Sequence, residues 1–298
     1  MTAVPPTHPR DSGDAWVEGP DGRRFWGRYG AAGLLVHDEA AGILLQHRAE
    51  WSHFGGTWGL PGGARHEGES AVDGAIREAG EEAGVPADAL EIAFTSVLDL
   101  GYWSYVTVVT RTARPFAARI GDAESLELRW VPLDQVEELP LHPGFESSWP
   151  ALRDRLEERT RIVVDAANVI GSRPDGWWKD RAGAATAFLS RLERLSAEGV
   201  DSSELDDERS PGSGRSWPRF DVVLEGRAKD ARAALSSRLV TVVPAEGSGD
   251  DAIVQEVAST AGSTVVVTAD RELARRVEEL GASVRRPGWL LGLLDELD

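Results

Sequence analysis

The chain has 298 residues, with 50 acids against 32 bases and a formal net charge of −18 at pH 7. Such acidity argues against a protein that grips duplex DNA or anionic membrane, because both need positive surface. The absence of cysteine excludes disulfides, thiolate nucleophiles and sulfur-ligated zinc. The length suggests two domains. Residues 1–14 are polar and proline-containing, and no apolar run approaches the ~20 residues of a bilayer span. A cytoplasmic protein without a membrane partner is therefore expected.

Residues 1–25 read as a polar tail leading into a first strand, and residues 26–159 read as a mixed α/β domain. Gly33–Val36 and Gly42–Gln46 have the pattern of short strands joined by an acidic turn at Asp38-Glu39. A glycine-rich stretch from Gly55 to Gly63 precedes a helical segment over Ser70–Ala83, which Gly84 ends. Further strands are expected at Ile92–Asp99, Ser104–Thr110 and Leu126–Val131, with a closing helix at Ser148–Glu158. From residue 160 to 298 strands and helices alternate. The strands are expected at Arg161–Asp165, Phe220–Leu224, Leu239–Val243, Thr264–Thr268 and Ala282–Arg285. The helices fall at Asp180–Ala197, Ala228–Ser237, Asp251–Ala261 and Arg271–Leu280. Alternation of this kind implies crossover connections and a parallel sheet. The stretch 199–219, acidic and then rich in serine and glycine, reads as a mobile loop inside this second domain.

In the helical segment Glu78, Glu81 and Glu82 stand at i, i+3 and i+4, so their carboxylates share one face. Crowded like charges raise one another's pKa unless a cation offsets them, and hard oxygen donors suit Mg²⁺ or Mn²⁺. Three glutamates alone are as readily a solvated acidic face. The wider pattern decides against that: Gly63, five residues, Glu69, seven residues, Arg77-Glu78, then Glu81-Glu82 and Gly84-Val85. This run resembles the Nudix hydrolase box at every polar and glycine position, departing only at Ala79, where the family carries a larger apolar residue. The resemblance covers residues 25–159 and implies an α/β/α sandwich with a mixed sheet. It implies an enzyme that cleaves a diphosphate bridge in a nucleoside diphosphate linked to another group, with Mg²⁺ or Mn²⁺. A (deoxy)nucleoside triphosphate is the favoured substrate. By matching positions Glu78, Glu81 and Glu82 are the catalytic, metal-binding carboxylates, and Gly63, Glu69 and Arg77 build the substrate loop. Glu124 and Glu127 are distal base candidates, with Glu127 taken as catalytic; both also read as surface-loop acids. Arg48 is a candidate phosphate contact or a plain surface arginine. Trp103 and Tyr105 alternate on one strand, as a nucleobase slot or as core residues.

In the second half acids occur where strands end: Asp165, Asp250 and Asp251, and Asp270. Ligand sites in open parallel sheets gather outside those ends, although each aspartate also reads as a helix N-cap. The set, with Asp165-Ala166-Ala167-Asn168, looks like a NYN-type member of the PIN-like nuclease group, a parallel-sheet α/β fold. The resemblance implies that Asp165, Asp250, Asp251 and Asp270 hold Mg²⁺ or Mn²⁺ and that Asn168 orients water or a ligand; Asp180, in the first crossover, is a further candidate by its position. Single-stranded RNA is the implied partner, with Trp177 and Trp178 able to stack bases beside Arg173, Lys179 and Arg181. Ala166-Ala167 stands where Gly-Tyr is often found. Two readings from another class compete: a nucleotide sensor that binds without hydrolysing, and a second domain that serves as scaffold or dimerisation module. The oligomeric state is left open.

Overall fold

The computed structural model describes residues 12–174, 176–205, 212–259 and 262–298. The chain divides into two compact units, Met1–Glu157 with Asp207–Gly214, and Glu158–Asp206 with Arg215–Asp298. Among the described residues no helix is long and apolar enough to cross a membrane.

The first unit runs β1 (Trp16–Glu18), β2 (Arg24–Trp26), β3 (Ala31–Asp38), β4 (Gly42–Arg48), β5 (Trp58–Gly59), β6 (Gly62–Ala64), α1 (Ala71–Ala83), β7 (Leu90–Asp99), β8 (Ser104–Thr112), β9 (Ser125–Val131) and α2 (Pro143–Arg155). β3 is central: it pairs in parallel with β8 and antiparallel with β4 and β6. β7 extends the sheet beyond β8, and β5 and β9 both pair with β4. Seven consecutive residues of β3 are buried, as a strand covered on both faces requires. One face packs Ala32, Leu34, Leu44 and Val108 against Ala75, Ala79 and Ala83 of α1. The other packs Leu35, Ile43, Leu45 and Val109 against Phe145, Trp149 and Leu152 of α2. The unit is a mixed-sheet sandwich between two helical layers.

Three expectations change here. The segment expected as a polar tail holds, from Trp16 on, an antiparallel ribbon in which Trp16 faces Trp26 and Val17 faces Phe25. Its aromatic side chains find partners that a solvated tail would not, Phe25 stacking on Trp103; residues 1–11 lie outside the described residues. α2 begins at Pro143 rather than Ser148. Proline suits a first turn, where its missing N–H is not needed, and His142 caps the helix by accepting from the Gly144 N–H. The glycine-rich stretch itself contributes the short strands β5 and β6.

The second unit runs β10 (Thr160–Asp165), α3 (Ala166–Gly171), α4 (Arg181–Glu198), β11 (Val200–Asp201), β12 (Ser213–Ser216), β13 (Arg219–Leu224), β14 (Val240–Pro244), α5 (Gly249–Ala258), β15 (Ser263–Val267), α6 (Arg271–Glu278), β16 (Ser283–Arg285) and α7 (Pro287–Asp295). Five strands form a wholly parallel sheet in the order β14-β13-β10-β15-β16. Ile162, Val164 and Val222 face α4 and α7, while Val163, Val223 and Val266 face α5 and α6. Chain order reverses direction across the sheet between β10 and β15, so a crevice opens outside their carboxyl ends.

The expected helix over Ala228–Ser237 does not form beyond a 3₁₀ turn at Gly226–Asp230. Its backbone donors go instead to side chains of α4: Arg232 N–H to Thr186, and the Ser236 and Ser237 N–H groups to Glu193. Part of the expected loop 199–219 is ordered pairing, Val200 opposite Ser216 and Asp201 opposite Arg215. Residues 206–211 of that stretch lie outside the described residues.

Candidate active site

α1 starts where Ser70 accepts a hydrogen bond from the Asp73 N–H and stops where Gly84 takes a left-handed conformation, φ 62°. Between these caps the small residues Ala75, Ala79 and Ala83 face the sheet, so the helix lies close to β3 and β6. That closeness carries the acids with it. The Gly62 N–H of β6 donates to Glu82 Oε2 at 2.8 Å. A Cβ at Gly63 would lie 2.7 Å from the Glu78 carboxylate, so any side chain there would push that carboxylate aside. Gly63 thus works by making space for Glu78.

Arg77 ties the loop to the helix. Its Nε donates to Glu69 Oε1 at 2.8 Å, its Nη2 to Glu69 Oε2 at 3.0 Å and its Nη1 to Glu78 Oε1 at 2.8 Å. Glu69 also accepts from the His66 N–H. These bonds, the Arg77 ones above all, hold the Glu69 carboxyl down to about 2. Glu69 and Arg77 therefore satisfy each other and fix the turn into α1.

The neighbouring acids are in a different condition. Burial pushes Glu78 up to about 7 against the pull of Arg77. Burial, and after it the charge of Glu78, pushes Glu82 well above the usual carboxylate range; it is 4% exposed and has one backbone donor. Asp122 and Glu124 add repulsion, Glu124 acting on both glutamates and Asp122 on Glu82. Glu81 faces outward, its side chain 61% exposed and 3.6 Å from Arg77.

A family model described as the NUDIX domain matches residues 27–154. A Mycobacterium tuberculosis protein named "Putative 8-oxo-dGTP diphosphatase 3" is 48% identical over 166 residues, 51% of this chain and 76% of the relative. The chain belongs to the Nudix hydrolase family. A Bifidobacterium longum protein, named a nucleoside triphosphate pyrophosphatase/Nudix hydrolase fusion, is 40% identical over 49% of this chain and 32% of its own length. The Nudix hydrolase RenU from M. smegmatis is 49% identical in its crystal structure, with a TM-score of 0.45 over 48% of this chain and 94% of that one.

Around the Nudix carboxylates the structure sorts the remaining candidates. Tyr105 lies at the site: a Cβ on Gly33 would meet its hydroxyl at 2.1 Å, and Gly33 is the register partner of Gly62. Burial raises Tyr105 to about 12, so it keeps its proton. Arg48 is close enough to act electrostatically on Tyr105, His53 and His142. Its Nε donates to the His53 carbonyl, and among the described residues no carboxylate pairs with it. Trp103 is otherwise engaged, with Phe25 stacked on its ring at 4.4 Å and its Nε1 donating to the Trp26 carbonyl. It anchors the β1–β2 ribbon. Glu127 stands apart from the cluster: it is exposed on β9 and paired with Arg129, whose guanidinium covers Trp58. Of the two distal acids it is Glu124, in the loop before β9, whose charge acts on Glu78 and Glu82. Asp122 beside it was not singled out in the sequence; only its spacing of two from Glu124, whose N–H it accepts, would have shown it.

An all-oxygen donor set whose buried members are raised by burial and by one another fits a hard divalent ion, because a cation offsets both effects. Among the described residues no three His, Asp or Glu side chains stand close enough to hold an ion as they are. Glu81 would have to turn inward.

In the second unit Asp165 ends β10 in the crevice and is 5% exposed. Its oxygens are well supplied: Oδ1 accepts from the Asn168 N–H, Oδ2 from Asn168 Nδ2 and from Thr268 Oγ1 at 2.8 Å. Asp270 caps α6, accepting from the Glu272 and Leu273 N–H groups. Asp250 opens α5, and its pKa is raised by burial and by the charges of Asp165 and Asp270. These three come together. Asp251 does not join them, being exposed and paired with Arg276, and Asp180 is exposed and caps α4. Glu225, unmarked in the sequence, does approach: it accepts from the Gly249 N–H and adds to the charge on Asp250. Trp178 is 54% exposed, whereas Arg181 covers Trp177.

Proposed function

We propose that the first unit is a Mg²⁺- or Mn²⁺-dependent pyrophosphohydrolase that cleaves a diphosphate bridge in a nucleotide, with a (deoxy)nucleoside triphosphate as its substrate. The pairing of Glu78 and Glu82, buried against the β6 glycines without donors enough for their charge, carries this reading. Glu78, Glu81 and Glu82 would hold the metal. A divalent ion there neutralises phosphate charge and activates water for attack on phosphorus. The chain's own residues do the rest. The Glu69–Arg77 pair keeps the loop and α1 in fixed relation, so the carboxylates need little reorganisation. Arg48, whose Nε donates to the His53 carbonyl, would offer its remaining guanidinium donors to the phosphates, Tyr105 would stand beside them as a neutral phenol, and Glu124 would take a proton from water. The name of the mycobacterial relative adds an oxidised purine nucleotide to the candidates. The test is hydrolysis of a nucleotide panel that includes 8-oxo-dGTP, with Mg²⁺. Release of pyrophosphate or of a nucleoside monophosphate is expected; binding without turnover would favour the sensor reading.

For the second unit the reading is a NYN/PIN-like domain that acts on single-stranded RNA, with Asp165, Asp250 and Asp270 as metal ligands and Asn168 as orienting residue. Its support is the position of these acids outside the carboxyl ends of a parallel sheet, at the reversal of chain order. Trp178 is the aromatic free to stack a base. Full-length protein with Mn²⁺ should cleave a single-stranded RNA, and Asp165→Asn should stop it. Cleavage that persists in the variant would refute the site, and absence of cleavage would favour a scaffold.

A further inference from the structure

Large aromatic side chains are exposed on one part of the first unit: Trp16 at 42%, Trp26 at 37% and Phe54 at 45%. They do not stack face to face. Trp16 meets Trp26 and His53 edge-on at 5.3 Å, and Phe54 meets His142 edge-on at 4.8 Å. Edge-on packing fixes the rings, and the Arg24 guanidinium lies over the face of Trp16, 5.0 Å from the ring centroid. Phe54 is held there at a cost. Its φ of 56° is the one positive value at a non-glycine among the described residues, and for a bulky side chain such a backbone is disfavoured. The loop is strapped into this form from β4: the Arg48 Nε donates to the His53 carbonyl, the His47 ring nitrogen bonds the Gly56 carbonyl, and the Gly56 N–H donates to the Arg48 carbonyl. Strain kept in place by its surroundings is typical of ligand clamps.

Arg48 borders the patch: its Nε donates to the His53 carbonyl, and a Cβ at Gly59 would meet both His142 at 3.4 Å and Arg48 at 3.9 Å. Arg48 acts on His53 and His142 on one side and on Tyr105 on the other, and Tyr105 feels Glu82. Both histidines are held neutral at ordinary pH by burial and by the charge of Arg48. The patch is thus aromatic, with the Arg24 guanidinium on Trp16 and the Arg48 guanidinium on the side toward Tyr105. A nucleotide has the same sequence of chemistry: a flat ring, then a sugar, then phosphates.

We infer that Trp16 and Trp26 of the β1–β2 ribbon, with His53 and Phe54 of the 49–57 loop, hold the nucleobase of the substrate, Arg48 marking the passage to the phosphates. This rests on the nucleotide reading of the first unit. It assigns base recognition to a ribbon that precedes residue 27, where the family match begins, and takes that role away from Trp103, which anchors the ribbon.

The test compares full-length wild type with Phe54→Ala, Trp16→Ala and Phe54→Tyr on a purine nucleoside triphosphate and on deoxyribose 5′-triphosphate, which lacks the base. Wild type should prefer the base-bearing substrate in kcat/KM. Phe54→Ala and Trp16→Ala should each shrink that preference at least tenfold, through KM, while Phe54→Tyr keeps it. Both alanine sites are exposed, and unchanged thermal unfolding will show that the fold is intact. An undiminished preference in both alanine variants would overturn the slot and leave the hydrolase reading standing. A wild type that hydrolyses neither substrate would instead overturn the hydrolase reading.

Discussion

The acids of α1 and the acids at the strand ends of the second unit look alike in sequence and differ in how they are satisfied. Asp165 accepts three hydrogen bonds, Asp270 caps a helix and Asp251 pairs with Arg276. Each has a structural partner, and Asp250 beside them is raised by burial and by its neighbours. Glu82 is buried and Glu78 half-buried, and both are raised, with Asp122 and Glu124 adding to the repulsion. An acid that spends its charge on caps and hydrogen bonds is explained by the fold alone. Acids that burial raises although Arg77 donates to one and Gly62 to the other would be relieved by an external cation.

The sharpest way to break this contrast is Glu82→Gln. It should lower kcat/KM by about a thousandfold, in the range seen when one charge-stabilising group is lost. Without metal it should also stabilise the fold, because a neutral amide replaces a buried charge and can still accept from Gly62. Lost activity with gained stability is the signature of a carboxylate kept for function.

The distal acids come next. Glu124→Gln should cost about 100-fold or more in kcat, in keeping with a group that moves a proton. Glu127→Gln, on an exposed ion pair, should stay within about twofold. Equal losses would restore Glu127 as a participant.

pH separates the two conditions within the first unit itself. Glu78 titrates near 7 in the folded state, above its ordinary 4.5. Its contribution to stability is full below 4.5 and is lost as pH rises through about 7. Glu69 is the reverse: held near 2, it contributes fully above 4.5 and loses that as pH falls toward 2. His142, lowered to about 4 by burial and then by the charges of Arg48 and His53, also costs stability as pH falls from 6.5 toward 4, because the unfolded chain takes up its proton first. Thermal melts of metal-free protein should therefore decline on both sides of about pH 5–6. Mg²⁺ should flatten only the alkaline side.

Much of this was legible in the sequence, for physical reasons. Ser70 and Gly84 bracket α1 with the chemistry helix ends require, and the glutamate spacing survives folding because a helix fixes it. The parallel strands show as apolar runs because both their faces are covered. The ribbon at Trp16 and Trp26 was hidden, since three-residue strands carry too little alternation to distinguish them from a tail. The missing helix over 228–237 was equally hidden: its N–H groups are taken by Thr186 and Glu193, distant in sequence. Glu124 and Glu127 could not be ranked, because a difference of three residues at a loop–strand junction changes the direction of a side chain by an amount that spacing does not encode. Ser70→Ala should test the legible end most gently, costing about 1 kcal/mol of stability with turnover retained.

The most direct measurement is steady-state hydrolysis of nucleoside triphosphates with Mg²⁺ by full-length wild type, Glu82→Gln and Asp165→Asn. Turnover should vanish in Glu82→Gln and persist in Asp165→Asn. Full activity in Glu82→Gln, or equal loss in both variants, would contradict the account.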